Sequence, residues 1–298
     1  SNSSTPPQKP PPPFTNSKDP QPTTNPPQKP VPSRQKSDNT HITSHSTSHD
    51  SPFTPEELKN QDIWRENEKI FHAGYYEIHG KKIVIKDKIQ KSVNLSITIH
   101  KDLKYDDEFK RFIKKSWGKK DKIDIYNKIE IWPSSTFAAA QRLLDSGIKK
   151  VCVLNFASAT KPGGGVLNGR NAQEESLSRQ STLYFSLVEQ KKFYDYNKLH
   201  YDSFGTDYMI YSPNVIIIRD DKLIDPIKVS VISSVAVNYS ELITNYHGND
   251  LNQKVYDVMK NRCRRILELC LAKGNEAIVL GAFGCGVFKN PPKIVSRI

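Results

Sequence analysis

Residues 151–181 read VCVLNFASATKPGGGVLNGRNAQEESLSRQS, from Val151 to Ser181. The apolar run Val151-Cys152-Val153-Leu154 reads as a short buried strand. It opens into Lys161-Pro162 and three glycines, Gly163, Gly164 and Gly165. Seven residues later come Gln173, Glu174 and Glu175, at the start of an expected helix. Glycines without Cβ let the backbone take positive φ and let a ligand approach its N–H groups. Such groups beside a helix start suit phosphate oxygens, and paired carboxylates just beyond suit general acid–base work on a sugar. Each part has a plainer reading when taken alone: a glycine run as a flexible turn, a Glu pair in a first helical turn as a match to the helix dipole. Strand, triplet, short spacer, Gln-Glu-Glu and helix in that order are much rarer than the parts.

Upstream, Ser134 or Ser135 caps a helix carrying Phe137, Ala138, Ala139, Leu143 and Leu144, closed by Gly147. Together with a strand expected over 123–132, ended by Pro133, and the strand 151–154, this makes a β-α-β unit. Its loop lies at the C-terminal end of a strand, where ligands bind in α/β sheets. Further back, Thr54-Pro55-Glu56-Glu57 reads as a capping box opening a helix with Leu58, Trp64 and Ile70 that stops before Gly74. Tyr75–Ile78 and 81–85 flank Gly80 as a hairpin, and the alternation over 94–99 predicts a strand.

Downstream, a helix is expected over 172–188. Ile210 and Val215 to Ile218 mark strands on either side of Pro213, and 229–235 is another buried strand. A long helix spans Leu251–Ala272, with Val255, Val258, Cys263, Ile266, Leu269 and Cys270 at helical spacing and Gly274 after it. Strand 277–280 delivers a second glycine loop, 281–288, and Pro291-Pro292 opens a last helix. Alternating strands and helices with central Val/Ile runs argue for an α/β sandwich.

The first 52 residues differ in kind. Twelve of the chain's 20 prolines fall between Pro6 and Pro32, and Pro-Pro-Gln-Lys-Pro occurs at 6–10 and again at 26–30. Ser, Thr and His follow from His41 to Ser51. Such a stretch buries too little apolar surface to offset its ordering entropy, so a disordered Pro/Ser-rich tail is expected over 1–52 and the folded domain over 53–298. Of the net charge of +12, the tail carries +2, from five Lys/Arg against three Asp/Glu. Residues 81–128 hold fifteen Lys/Arg and seven Asp/Glu, a net +8, with Tyr105, Phe109, Phe112 and Trp117 among them. Basic residues interleaved with aromatics suit single-stranded nucleic acid. An amphipathic helix with Phe109 and Phe112 in the core is the favoured reading.

The four cysteines, Cys152, Cys263, Cys270 and Cys285, form no Cys-x-x-Cys pair, and no His spacing suggests zinc. Cys152 and Cys270 sit among apolar residues as buried thiols, which points to a reducing, intracellular compartment, cytoplasmic or nuclear. No apolar run approaches the length of a membrane-spanning helix, and the residues after Ser1 do not read as a signal peptide. The chain begins with Ser rather than Met, as a fragment would, so a leader upstream stays open.

Gly163-Gly164-Gly165, seven residues, then Gln173-Glu174-Glu175 resembles the signature of poly(ADP-ribose) glycohydrolases. Asn155-Phe156-Ala157-Ser158, Tyr211-Ser212-Pro213-Asn214-Val215 and the run LGAFGCGVF at 280–288 resemble, in the same order, the microbial-type catalytic domain of that family. The likeness covers roughly residues 55–298. It implies a macrodomain-like three-layer α/β/α sandwich with a mixed sheet. It also implies a longer final helix and a further strand than the chain reaches by Ile298, so a truncated C-terminus is expected.

The resemblance further implies the site. Glu175 is the catalytic acid/base for cleaving the ribose–ribose bond of poly(ADP-ribose), and Glu174 holds ribose hydroxyls. Gln173 contacts the adenosine side, while Asn155 and Ser158 line the distal ribose; animal members carry Asn at the latter position. Gly163, Gly164 and Gly165 are ligand-binding. Gly284, Cys285, Gly286 and Val287 offer backbone N–H groups to the diphosphate, and Phe288 orients the distal ribose. The tyrosine-bearing insertion that covers the adenine in animal members has no match. No cofactor or metal is implied. The expected partner is ADP-ribose or poly(ADP-ribose) on modified proteins, with no membrane and with a monomeric chain. A non-catalytic ADP-ribose-binding macrodomain and a hydrolase of single protein-linked units stay open as alternatives.

Overall fold

In the computed structural model, which describes residues 52–102, 129–200 and 202–298, a mixed sheet of five strands runs through the unit Ser51–Ile298. The reading of 1–51 as a tail, the basic-aromatic helix around Phe109 and Phe112, and the start of the strand expected over 123–132 lie outside the described residues. In chain order the elements are α1 (Pro55–Ala73), β1 (Tyr75–Ile78), β2 (Lys81–Val84), α2 (Lys86–Leu95), β3 (Ile97–Ile99) and α3 (Thr136–Asp145). Then come β4 (Val151–Phe156), α4 (Gln173–Gln180), α5 (Leu183–Val188), α6 (Lys191–Leu199), β5 (Met209–Arg219) and β6 (Leu223–Ser234). The last are α7 (Tyr239–Asn245), α8 (Leu251–Ala272), β7 (Ala277–Val279) and α9 (Pro292–Val295).

The sheet order is β3-β5-β6-β4-β7. β3 pairs antiparallel with β5, and β5 with β6; β4 lies parallel between β6 and β7. Period-two alternation divides β4 between two cores. Val151 and Val153 face a cluster with Phe137, Leu177, Leu187 and Phe193 from α3 to α6. Cys152 and Leu154 face a cluster with Leu242, Val255, Met259 and Leu269 from α7 and α8. Helices therefore cover both sides of the sheet, giving the three layers expected from the sequence. The hairpin β1–β2 and α1 form a satellite core, where Phe71, Tyr76, Ile83 and Ile85 meet Ile216 and Ile218 of β5.

Local rules account for several ends. Thr54 Oγ1 accepts from the Glu57 N–H at 3.2 Å while the Thr54 N–H donates to Glu57 Oε2 at 2.9 Å, completing the capping box of α1. Ser135, not Ser134, caps α3 by accepting from the Ala138 N–H.

Three expectations need correction. The strand over 94–99 is real only at Ile97–Ile99; Asn94 and Leu95 end α2, whose Ser92 is buried against Ser186 and the Pro213 carbonyl. The alternation across 94–99 hides a helix end followed by a short edge strand. The described end of the strand over 123–132 is irregular, with Ile129 and Ile131 87% and 95% exposed, so those isoleucines fill no core. The single helix over 172–188 is two. Ser181 adopts extended φ −147°, ψ 177° and bridges Ile217, while the Thr182 N–H donates to the Ile216 carbonyl and Thr182 Oγ1 accepts from the Ile216 N–H. Hydrogen bonds to β5 replace those of the helix ladder, and α5 restarts at Leu183.

Candidate active site

β4 ends at the stretch that carries the glycine triplet, and its last residues are held by side chains from the start of α4. Gln173 Oε1 accepts from the Phe156 N–H at 2.8 Å, and Gln173 Nε2 donates to the Leu154 carbonyl at 2.7 Å. Beside Gln173, an open hollow of about 350 Å³ lies between the starts of α3 and α4, lined by Ser134, Ser135, Thr136, Asn171 and Ser176 among others. It borders Gln173 but neither glycine loop.

The two carboxylates diverge, as adjacent helical residues about 100° apart should. Glu174 is 3% exposed and points to the end of β4. Its Oε2 accepts from the Ser158 N–H at 2.7 Å and its Oε1 from Asn155 Nδ2 at 3.2 Å. Burial pushes its carboxyl up to about 8 against the pull of these two donors, and the charge of Glu175 adds to the rise. Asn155 is fully buried and also donates to Ser233 Oγ on β6 at 3.0 Å, while its Oδ1 has no partner among the described residues. Ser158 Oγ accepts from the Lys161 N–H at 3.2 Å and shapes the turn toward the glycines.

Glu175 turns instead to the glycine triplet. Its Oε1 accepts from the Gly165 N–H at 2.8 Å and its Oε2 from the Ala172 N–H at 3.2 Å. The second bond is the return half of a capping box; Ala172 has no side-chain oxygen to complete it. Gly164 has φ +61°, and a Cβ there would lie 2.3 Å from Glu175 Oε1 and 3.2 Å from Glu174 Oε2. The middle glycine therefore lies directly against both acids, and no other residue fits.

β7 runs parallel to β4, with Val151 opposite Ala277, so the second glycine loop leaves the same end of the sheet. Phe283 is buried and packs on Phe156 of β4 at 5.4 Å between ring centroids. Gly284 has φ +75°, and a Cβ there would sit 2.7 Å from Ala236 and 2.5 Å from Asn290 Nδ2. Asn290 ties the loop to the end of β6 by donating to the Val237 and Gly284 carbonyls at 2.6 and 2.9 Å. Among the described residues no acceptor takes the N–H groups of Gly286 and Val287. Val287 is 75% exposed, whereas Phe288 is half-buried against the core beneath. Burial raises the pKa of the Cys285 thiol, which disfavours the thiolate form.

Asn155, Ser158, the triplet, Gln173, Glu174 and Glu175 are thus joined by direct contacts. Among the described residues, 284–288 share no hydrogen bond with the acids; the Phe156–Phe283 ring pair joins the two loops. Sequence reasoning missed Arg179, Asn60 and Asn290. Only Arg179 left a local signal, four residues after Glu175 on one helix face. Among the described residues, no three His, Cys, Asp or Glu side chains gather as metal ligands, and no helix is long and apolar enough to cross a membrane.

A glycine-laid carboxylate pair at one strand end, with unaccepted main-chain donors at the next, is an arrangement that suits a sugar-phosphate ligand. The family model for the catalytic domain of microbial-type poly(ADP-ribose) glycohydrolase matches residues 65–220, and the chain belongs to that family. It is 31% identical to the poly(ADP-ribose) glycohydrolase of Thermomonospora curvata, covering 80% of this chain and 85% of that one, with a TM-score of 0.71. The same enzyme bound to the inhibitor ADP-HPD superposes with a TM-score of 0.69, at 31% identity over 80% of this chain and 84% of that one. The Deinococcus radiodurans enzyme in complex with ADP-ribose is 31% identical over 74% of this chain and 83% of that one, with a TM-score of 0.61. Curated protein sequences give no match.

Proposed function

We propose that residues 53–298 hydrolyse the ribose–ribose glycosidic bond of poly(ADP-ribose) and release ADP-ribose, with Glu175 as general acid/base. One observation carries the reading: Glu174 and Glu175, adjacent on α4, are each held by main-chain N–H donors from a different part of the loop after β4. Two carboxyls in unlike settings are what separate substrate holding from proton transfer.

The Glu175 carboxyl gives its proton to the departing ribose oxygen as the bond to the anomeric carbon breaks. The resulting carboxylate then takes a proton from water as the water oxygen bonds to that carbon, which restores the acid. Glu174 holds ribose hydroxyls. Asn155 adds its unused Oδ1, which suits a hydroxyl donor. The diphosphate lies against the N–H groups of Gly284, Gly286 and Val287, that of Cys285 being spent on the Ala282 carbonyl at 3.0 Å, and Phe288 orients the distal ribose. Gln173 serves the adenosine side.

Product analysis tests this directly. The chain is incubated with protein carrying poly(ADP-ribose) and, separately, with protein carrying single ADP-ribose units, and the soluble products are separated. Free ADP-ribose from the chains supports the proposal. ADP-ribose binding with no release from either substrate would make it a non-catalytic reader.

A further inference from the structure

We propose that Arg179 is a positioning residue for the Glu175 carboxyl, acting through residues 169–171 together with the first turns of α1. The inference rests on the catalytic role given to Glu175 above. Arg179 lies one turn beyond Glu175 on α4 and is 5% exposed. Its guanidinium does not point to solvent or to a simple ion pair. It donates through Nη1 to the Arg170 carbonyl and through Nη2 to Asn171 Oδ1 at 2.6 Å. A planar fork with fixed donors suits that double contact, which a flexible ammonium cannot copy.

The same short segment is gripped from the other side by α1. Asn60 Nδ2 donates to the Gly169 carbonyl at 3.0 Å, and Asn171 Nδ2 donates to Glu56 Oε1 at 2.6 Å. The backbones meet so closely that a Cβ on Gly169 would lie 2.0 Å from the Glu57 carbonyl oxygen. Asn67, further along α1, donates to the carbonyl of Arg179 itself. The exposed Arg170–Glu57 pair at 3.5 Å adds little. Burial lowers the pKa of the Arg179 guanidinium, and the nearby charges of Glu175 and Glu56 oppose that fall.

What Arg179 fixes is the source of both donors to Glu175. The Arg170 N–H donates to the Gly165 carbonyl at 3.2 Å, and Ala172 follows Asn171 directly. The Gly165 and Ala172 N–H groups are the two that hold the Glu175 carboxyl. A shift at 170–171 therefore moves both donors at once while leaving Glu174, held by Asn155 and Ser158, in place. A misplaced acid loses rate before the site loses ligand, because general acid catalysis needs the carboxyl within hydrogen-bond reach of the leaving oxygen.

Arg179→Met and the surface variant Asn171→Ala, each in the full chain, test this. Titration with ADP-ribose gives Kd and the number of competent sites, and kcat per competent site is then measured on poly(ADP-ribose). The expected result is a kcat per site lower by about tenfold or more in Arg179→Met and about threefold in Asn171→Ala, with Kd within about threefold of the parent. Parent-like kcat per competent site in both variants, or Kd rising in step with the fall in kcat, would overturn the inference. If Arg179→Met does not fold, Asn171→Ala decides alone. A parent chain that binds ADP-ribose but releases none would sink the hydrolase reading instead.

Discussion

β4 and β7 are parallel neighbours in the sheet, and each ends in a glycine loop. After β4 the loop is filled by side chains. Gln173, Glu174 and Glu175 fold back onto main-chain donors or acceptors, Asn155 donates to the Glu174 carboxyl, and the glycines lie over the carboxyls. After β7 the side chains turn to anchoring or away: Phe283 into the core, Asn290 onto the end of β6, Val287 into solvent. Among the described residues, the N–H groups of Gly284, Gly286 and Val287 are left without an acceptor. In the proposed function the first loop carries chemistry that depends on residue identity, and the second carries binding that depends on backbone shape. Substitutions should therefore act differently in the two loops.

The largest effect is expected at Gly164→Ala. The new Cβ would strike Glu175 Oε1 at 2.3 Å in a backbone with φ +61°, so turnover should fall about a hundredfold or more, as misplacement of a catalytic group by about an ångström does. Steady-state rates on poly(ADP-ribose) would show it, and near-parental turnover would mean that the triplet does not lie over the acids in the working enzyme.

Glu174→Gln separates holding from stability. Below about pH 4.5, the ordinary value, the carboxyl is protonated in both folded and unfolded chains. Between there and about 8 the unfolded chain releases the proton while the native chain keeps it, so stability falls as pH rises and then levels off. Gln escapes that loss. Each pKa unit corresponds to about 1.4 kcal/mol, and a gain on the order of 2 kcal/mol is expected at pH 8, with little at pH 4.5, while ADP-ribose affinity drops. Melting curves at the two pH values decide it; a larger gain at the lower pH would contradict the buried, proton-holding setting.

In the loop after β7, Gly284→Ala should cost about 1–2 kcal/mol of stability from its positive φ and its contact with Ala236. Gly286 has open space where a Cβ would go. Gly286→Ala should leave the melting temperature unchanged yet weaken ADP-ribose binding about tenfold, ~1.4 kcal/mol, by crowding the diphosphate. Calorimetric titration and melting on both variants would sharpen the contrast; equal effects at the two positions would erase it.

Much of this was legible in the sequence because it is local. The capping box at Thr54, the hairpin about Gly80, the buried run at Val151, the long apolar face of α8 and both glycine loops are set by residues near one another in the chain. The break at Ser181 was not legible, since β5, over thirty residues later, supplies the competing hydrogen bonds. Asn94–Leu95 misled because a helix end and an edge strand together mimic alternation. The grip of α1 on residues 169–171 was hidden for a similar reason: Asn60 and Gly169 lie 109 residues apart, and nothing in either neighbourhood announces the contact.

The central claim is that Glu175 moves the proton while Glu174 holds the ribose. Glu175→Gln keeps the shape and polarity of the side chain and removes the transferable proton. Release of ADP-ribose from poly(ADP-ribose) should fall about 10²–10⁴-fold, ~3–5 kcal/mol of barrier, with ADP-ribose affinity near that of the parent. Release by Glu175→Gln at the parent rate would contradict the assignment.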